Sequence, residues 1–523
     1  MKQKYKKKGL IIAVVISVFV VLTIVANYVV ENKLNRALNG LPRFIKLEYT
    51  SLRVNVIAGN LEINAPVVTI NGKITQKAIL NAQLKSIVIK NLSYWDYLIN
   101  DEIIVEAIIL DQLSLKYNYN RHVGKDEYNK RFLNDLKRII NVETIKMNKA
   151  DIFVSNFDTD STLLSIPEFN FELKKLQINP KTSKIENIIK YDDFNLNADN
   201  VKYAINQYDD LYIDSILLTC DNAVFKHFEI KTKYKRNKYS ELLKEERDHF
   251  NLTIKEIKCK EINCGFRAYE KFYLTSQKVQ IIYPEAEIYR DKLVANDTSY
   301  KSFYSTMLRK LDFELGLSEV EVSNGTIEYL EKVNKETPAG RLRFSNIEAK
   351  ILNVGNINQL KPTEIKVNSL FMDTSVLKFN WSFKVADVTD KFEFKANLKR
   401  FNADQLDQFT KANLNVDFNG ELKQTYFTIA GNNNVSRVDF KMKYDDFEVA
   451  ILKKNGKEKN RFLSKLVNMI VSTNSEKQNN NFRFGQDKEV KRDVTKSIFN
   501  FVWLNVKQGL LTAMTGDGLL KKQ

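Results

Sequence analysis

Cysteine is almost missing from this chain: Cys220, Cys259 and Cys264 are the only thiols in 523 residues. Three thiols with no paired histidine cannot make a disulfide framework and have no zinc-ligand spacing, although a local Cys259–Cys264 bridge stays open. Histidine is as scarce, with His122, His227 and His249 set among lysine, arginine and aromatic residues. The sequence has no H-E-x-x-H, no G-x-x-x-x-G-K-[ST] and no G-x-G-x-x-G, and its acidic pairs lack calcium-loop spacing. It therefore reads as non-enzymatic, with no catalytic residue, no cofactor and no metal ligands. Only 7 prolines and 17 glycines exclude a collagen-like or Pro/Gly-rich disordered chain.

Charge is missing from one stretch. After a basic tip (Lys2, Lys4, Lys6, Lys7, Lys8), Gly9 to Val30 carries none until Glu31. As a helix, that run of about 22 residues reaches ~33 Å, enough for a ~30 Å hydrocarbon core. Its length and the lack of a small-x-small pair favour an uncleaved anchor over a cleaved signal peptide. Leu10, Ile16, Phe19 and Val25 are its candidate lipid-facing residues. The lysines keep the tip cytoplasmic and place the body across the membrane.

The body is basic, within a net charge of +17. This suits anionic lipid headgroups, or a surface solvated by lysine and asparagine. Basic and acidic residues are interspersed without a nucleic-acid-binding signature, so nucleic acid is not expected as a partner.

From Phe44 onward the hydrophobic period is two. Ile45, Leu47 and Tyr49 alternate with Lys46 and Glu48; Leu113, Leu115, Tyr117 and Tyr119 alternate with Ser114, Lys116 and Asn118. In Ala82 to Lys90 the alternation slips near Ser86, as a β-bulge would make it. Helical spacing returns in Tyr128 to Ile140, in Phe462 to Val471 and in Val494 to Met514. The last has a stripe of Ile498, Phe499, Phe501, Val502, Val506 and Leu510 that could cap a sheet edge or lie on a membrane. Asn474 to Asn481 reads as a polar loop. Lys231 to Asp248 is charge-dense, either a headgroup or partner contact or a solvated excursion.

Ile254 to Tyr289 reads like Leu84 to Tyr117, and Asn324 to Tyr329 like Lys149 to Val154, at an offset of roughly 170–175 residues. The expected organisation is a tip (1–8), a transmembrane helix (9–30), a first β-rich region (31–247), a second that partly repeats it (248–452) and a C-terminal helical cap region (453–523). The expected fold is mainly β: an elongated, curved, antiparallel sheet with amphipathic capping helices. Alternation alone fits a closed sandwich as well as an open groove.

The order of parts resembles the AsmA-like family of bacterial envelope proteins. The likeness rests on the basic tip and anchor ending in RALNGLP, on LKSIVIKNLSYWDYLINDEIIVEAIILDQLSLKY, on VEVSNGTIEYLEKVNKETPAGRLRFSNIEAKI, and on an ending with KMKYDDFEVAIL and KSIFNFVWLNVKQGL. It implies a β-groove akin to bridge-like lipid-transfer proteins and anchoring in the inner membrane with a periplasmic body. It further implies binding of phospholipid or other acyl lipid, in support of phospholipid transport and outer-membrane homeostasis, with envelope proteins as further partners. Candidate groove residues are Leu113, Leu115, Tyr117, Ile152, Val154, Ile327 and Tyr329. The competing reading is a non-enzymatic scaffold or assembly factor for outer-membrane proteins, using sheet edges to bind strands.

Overall fold

The computed structural model describes residues 2–39, 44–72, 78–100, 102–120, 138–180, 189–267, 271–357, 360–452 and 482–515. The chain is mainly β, 62% strand and 16% helix, with 24 strands among the described residues. It divides into two compact units, 1–207 with 211–220 and 208–210 with 221–523. Each is built on an open, curved sheet.

The first unit starts with helix α1 (Lys2–Asn39). Among the described residues no helix is long and apolar enough to cross a membrane; the side chains described in α1 begin at Ser17. Eight short strands follow: β1 (Ile45–Glu48), β2 (Ser51–Asn55), β3 (Asn60–Asn64), β4 (Val67–Asn71), β5 (Ala78–Gln83), β6 (Ser86–Lys90), β7 (Glu102–Asp111) and β8 (Ser114–Tyr119). Then come β9 (Ile139–Asn156), β10 (Thr162–Ile178), β11 (Ile189–Lys190), β12 (Asp193–Ala204) and β13 (Asp209–Thr219). The first eight behave as four long strands, each broken once. β4 pairs with β1 and β5, β3 with β2 and β6, β5 with β8 and β6 with β7, all antiparallel.

Backbone that L-residues seldom adopt marks two of these breaks, at Ala65 (φ 47°) between β3 and β4 and Gln112 (φ 50°) between β7 and β8, and recurs within β9 at Lys149 (φ 51°) and within β12 at Asn200 (φ 56°). One extra residue in a strand would turn every later side chain to the other face. The sequence slips its alternation at the same places, from Leu61 and Ile63 to Val68 and Ile70, and from Ile108 and Leu110 to Leu113 and Leu115. The apolar residues thus stay on one face. Hydrogen bonds close each irregularity: Gln112 N–H donates to the Asn148 carbonyl (2.9 Å), Asp151 N–H to the Leu113 carbonyl (2.8 Å) and Lys149 N–H to Asn170 Oδ1 (2.9 Å).

The second unit runs β14 (Asn222–Thr232), α2 (Arg236–Leu242), β15 (His249–Arg267), β16 (Lys271–Asp291), α3 (Tyr304–Arg309), β17 (Glu314–Lys332), β18 (Gly340–Gly355), β19 (Thr363–Phe371), β20 (Ser375–Phe383), β21 (Phe392–Asn402), α4 (Asp407–Leu414), β22 (Val416–Gly431), β23 (Val435–Ile451), β24 (Arg483–Lys491) and α5 (Ile498–Thr515). Positive φ recurs at His227, Glu261, Tyr283, Asn324 and Asn346. Asn324 N–H donates to Glu348 Oε1 at 2.9 Å, much as Lys149 does to Asn170. Asn324→Val should therefore cost about 1–2 kcal/mol in urea unfolding, while Asn324→Gly should be close to neutral, because only the branched residue pays the left-handed backbone penalty.

The expectation of an antiparallel sheet needs correction at two places. β7 and β8 run parallel to β9, and β16 runs parallel to β17. A parallel pair needs a crossover connection, and in the second unit that connection contains α3. The two steps sit at matching positions, 102–119 against 139–156 and 271–291 against 314–332.

Two expected helices are not seen as such. Most of Tyr128 to Ile140 lies outside the described residues, and Ile139 and Ile140 open β9 instead. Phe462 to Val471 and the polar loop at Asn474 to Asn481 also lie outside them. The region expected as a helical cap contains a strand, β24, ahead of its helix. The three cysteines are free thiols.

Candidate functional site

Residues paired in register point to the same face of a sheet, so the ladders can be read crosswise. In the first unit one row runs Ile45, Ile70, Leu80, Tyr117, Val154, Leu164 and Tyr203. Beside it runs Leu47, Val68, Ala82, Leu115, Ile152 and Ile166. Beyond the bulges a third row continues: Leu52, Ile63, Ile87, Leu110, Met147, Phe171 and Leu196. Leu84, Leu113 and Ala150 form a small buried cluster, packed by Ala82 and Leu115 from one side of the bulges and Ile87, Leu110 and Met147 from the other. The rows therefore share one face and make a continuous apolar lane.

One residue out of phase the chemistry inverts. Lys46, Thr69, Asn81, Lys116, Phe153, Ser165 and Lys202 pair in register on the opposite face. None of the side chains in the first two apolar rows is buried; all keep partial exposure, and Tyr203 is 44% exposed. Two sheets clamped face to face would have hidden them.

The second unit repeats the pattern over ten strands. Phe225, Ile257, Ile281, Val322, Ala349, Val367, Phe379, Ala396, Phe427 and Phe440 are successive partners. A parallel row runs Ala223, Cys259, Val279, Val320, Ile351, Ile365, Trp381, Phe394, Ile429 and Val438. A third, Ile230, Leu252, Ala286, Ile327, Phe344 and Phe371, holds no buried residue. The opposite face carries ion pairs, among them Lys278–Glu321 (2.8 Å) and Lys350–Glu319 (2.6 Å).

At its C-terminal end this lane is closed. Ile429, Val438, Met442 and Tyr444 are fully buried in a core with Phe501 and Ile498 of α5. Phe394, Phe427 and Phe440 stack across neighbouring strands, with ring centroids 6.0 and 6.1 Å apart. Glycine lets the helix come this close: a Cβ on Gly485 would sit 2.1 Å from the Gly509 carbonyl oxygen, and one on Gly509 2.7 Å from Phe440 Cβ. The helix thus lies across the sheet face, where a cap on the sheet edge was one expectation. Its stripe also differs: Phe499 is 61% exposed while the polar Asn505 is buried, accepting from Ser436 Oγ and donating to the Phe501 carbonyl, both at 2.8 Å.

At the end of the second lane, two residues beyond Ile288 and Tyr329, stand Arg290 and Glu331. Arg290 holds Asp248 through two hydrogen bonds of 2.6 and 2.7 Å. Tyr329 O–H donates to Glu331 at 2.6 Å, and burial together with that carboxylate pushes its phenol far up. Nearby, Lys292 and Lys496 both reach the buried Glu246, at 2.6 and 2.8 Å. Burial alone would raise the Glu246 carboxyl, but the two ammonium groups outweigh it and hold it below the usual carboxylate range. Burial raises the Cys259 thiol within the lane.

The groove candidates singled out from sequence all fall on these apolar faces. Leu115 pairs with Ile152 and Tyr117 with Val154, and Leu113 is buried beside them. In the second unit Ile327 lies between Ala286 and Phe344, and Tyr329 between Ile288 and Leu342. Phe19 and Val25 are exposed on α1, at 59% and 51%; the side chains of Leu10 and Ile16 lie outside the described set. Sequence reading missed the rest of each row, although every bulge announces itself as a slip in alternation, as at Asn324-Gly325.

Each unit by itself is a one-sided β-structure, apolar along one face and polar or charged along the other. No family model matches the chain, and no curated protein and no solved structure matches it.

Proposed function

We propose that this chain is an AsmA-like, membrane-anchored periplasmic protein that holds lipid acyl chains along its apolar lanes and supports phospholipid transport and envelope homeostasis, without catalysing a reaction. The observation that supports this reading is a set of apolar rows with no buried member, the two of the first unit through Leu115 and Tyr117 and the one of the second from Ile230 to Phe371, each backed by a face of polar and charged side chains. Solvent-exposed apolar surface of this extent is costly unless something covers it. An acyl chain suits the task, since each buried CH₂ is worth about 0.8 kcal/mol and needs no polar partner. The uncharged run Gly9 to Val30 behind five lysines supplies the anchor, in the inner membrane with the tip cytoplasmic. Purification of the full chain in mild detergent, followed by mass spectrometry of bound lipid, tests the reading. Stoichiometric phospholipid is expected; a lipid-free protein that instead captures outer-membrane proteins through its edges favours the scaffold.

A further inference from the structure

Helix α1 is fastened to one end of the first unit's sheet. Tyr49 O–H, ahead of β2, donates to Asn35 Oδ1, and Val56 N–H, just past β2, donates to Asn27 Oδ1 at 2.7 Å. The helix therefore runs antiparallel to β2, and the residues ahead of Asn27 continue beyond the Val56 end of the sheet. Phe19, Leu22, Ile24 and Val25 on that continuation are all exposed. From Gly9 to Asn27 the helix is ~27 Å long at ~1.5 Å per residue, close to the ~30 Å of a hydrocarbon core. With that run in a bilayer, Asn27 and the sheet end bonded to it stand at the headgroup level.

The same sheet end carries large apolar side chains in the open. Ile57, in the turn between β2 and β3, is 64% exposed; Trp95, Tyr97 and Ile99, between β6 and β7, are 70%, 42% and 58% exposed. The two segments are neighbours: Leu92 N–H donates to the Gly59 carbonyl (2.8 Å) and Asn91 N–H to Asn60 Oδ1 (3.2 Å). Their backbone is held as well. Ser93 N–H donates to the Ile104 carbonyl (2.9 Å), Asp96–Asn100 form one π-helical turn, and Asn100 Nδ2 donates to Asp96 Oδ1 (2.7 Å). Asp96 is the only carboxylate from Leu92 to Asn100, and with Ser93 O–H as a second donor it is turned back on its own loop. The Arg138 guanidinium lies over the Tyr97 ring, 4.1 Å from its centroid. A single exposed apolar residue is ordinary, but four at one sheet end beside an apolar helix mark a surface that meets something apolar. Tryptophan, tyrosine and arginine are the side chains that settle at a membrane–water boundary, apolar body inward and polar tip wet.

We propose that Ile57, Trp95, Tyr97 and Ile99 enter the headgroup layer of the bilayer that holds α1, seating this end of the first sheet on the lipid surface. The occupant is lipid because the patch is continuous with the apolar run of α1 and is bonded to it at the level where that run ends. The inference rests on the anchor in the function proposed above and goes beyond it. An anchor alone would leave the body on a tether, whereas the two hydrogen bonds to α1 and the four side chains fix its height and tilt.

The test is tryptophan fluorescence of the full chain in phosphatidylcholine vesicles whose acyl chains are brominated either near the carbonyl end or near the methyl end. Trp95 is exposed, so Trp95→Phe should fold as the parent does, and the parent-minus-variant difference isolates Trp95 from Trp381 and Trp503. Bromines near the carbonyl end should quench that difference signal at least about twofold more than bromines near the methyl end, as an interfacial ring requires. Phe19→Trp in the Trp95→Phe background reports on α1 by itself, and bromines near the methyl end should quench it. Leu115→Asp with Ile152→Asp keeps acyl chains out of the lane, and quenching of Trp95 should persist in it. Loss of quenching in that variant would place the bromolipid in the lane and overturn the seat. No quenching of Trp95, or no preference for the carbonyl end, while position 19 is quenched, overturns the seat and leaves the anchor standing. Quenching at neither position overturns the anchor and the seat with it.

Discussion

Leu115→Asp with Ile152→Asp should lower the phospholipid that co-purifies with the chain at least about tenfold. The two residues are register partners in the middle of the first lane and both keep partial exposure. Leu115 also packs on the buried Leu84, Leu113 and Ala150, so the circular dichroism spectrum and denaturation midpoint are read alongside the lipid content. A bound acyl chain would have to strip the new carboxylates of water, and an unpaired carboxylate costs far more than the 1.4 kcal/mol that corresponds to tenfold in binding. Lys116→Asp with Phe153→Asp makes the matched change one residue along each strand, on the opposite face. That pair should leave lipid content as it was. Loss in both pairs would place the effect in general destabilisation, away from the lane.

Glu246→Gln should be the most destabilising single substitution at the lane's charged end. The carboxylate is 4% exposed and receives two ammonium groups, from Lys292 and from Lys496 just before α5. An amide leaves both cations in place without their counter-charge. Breaking a buried pair in this way costs about 3–5 kcal/mol, readable as a lower denaturation midpoint. The same group links stability to acid. Its folded pKa is below that of the unfolded chain, so its contribution is complete above about pH 4.3 and is lost as pH falls through the folded value. Glu246→Gln should flatten that part of the acid profile.

Tyr239 gives the opposite sign. Burial pushes its phenol up to about 12. A folded pKa above the unfolded one means full stability below about pH 10 and loss as pH rises toward 12. The difference in tyrosinate absorbance between the parent and Tyr239→Phe should show a midpoint near that value.

Much of this architecture was legible in the sequence, because one physical rule was written on nearly every strand. Alternation gave the lane residues Leu113, Leu115 and Tyr117, and its slip near Ser86 marked one of the bulges. Other features left no trace. A strand alternates in the same way whether its neighbour runs parallel or antiparallel, so the parallel steps at β9 and β17 were invisible. The C-terminal stripe was broad enough to admit Phe499, which points outward, and to hide Asn505, whose burial depends on Ser436 far away in sequence. β24 reads as polar (RFGQDKEVK), and among the described residues its one strand partner is β23. The basic stretch before β15 is mostly exposed, but its anchoring left no trace in the sequence, because only tertiary structure brings Tyr208 and His249 around Tyr239.

The most direct test of the central claim uses adjacent residues as each other's control. A photoreactive amino acid is placed at Ile152 and Ile327, on the lane faces, and separately at Phe153 and Glu328, one residue further on. Cross-linking in native membranes should give acyl-lipid adducts, identified by mass, at Ile152 and Ile327 only. Adducts of equal yield at all four positions, or none at Ile152 and Ile327, would contradict the account.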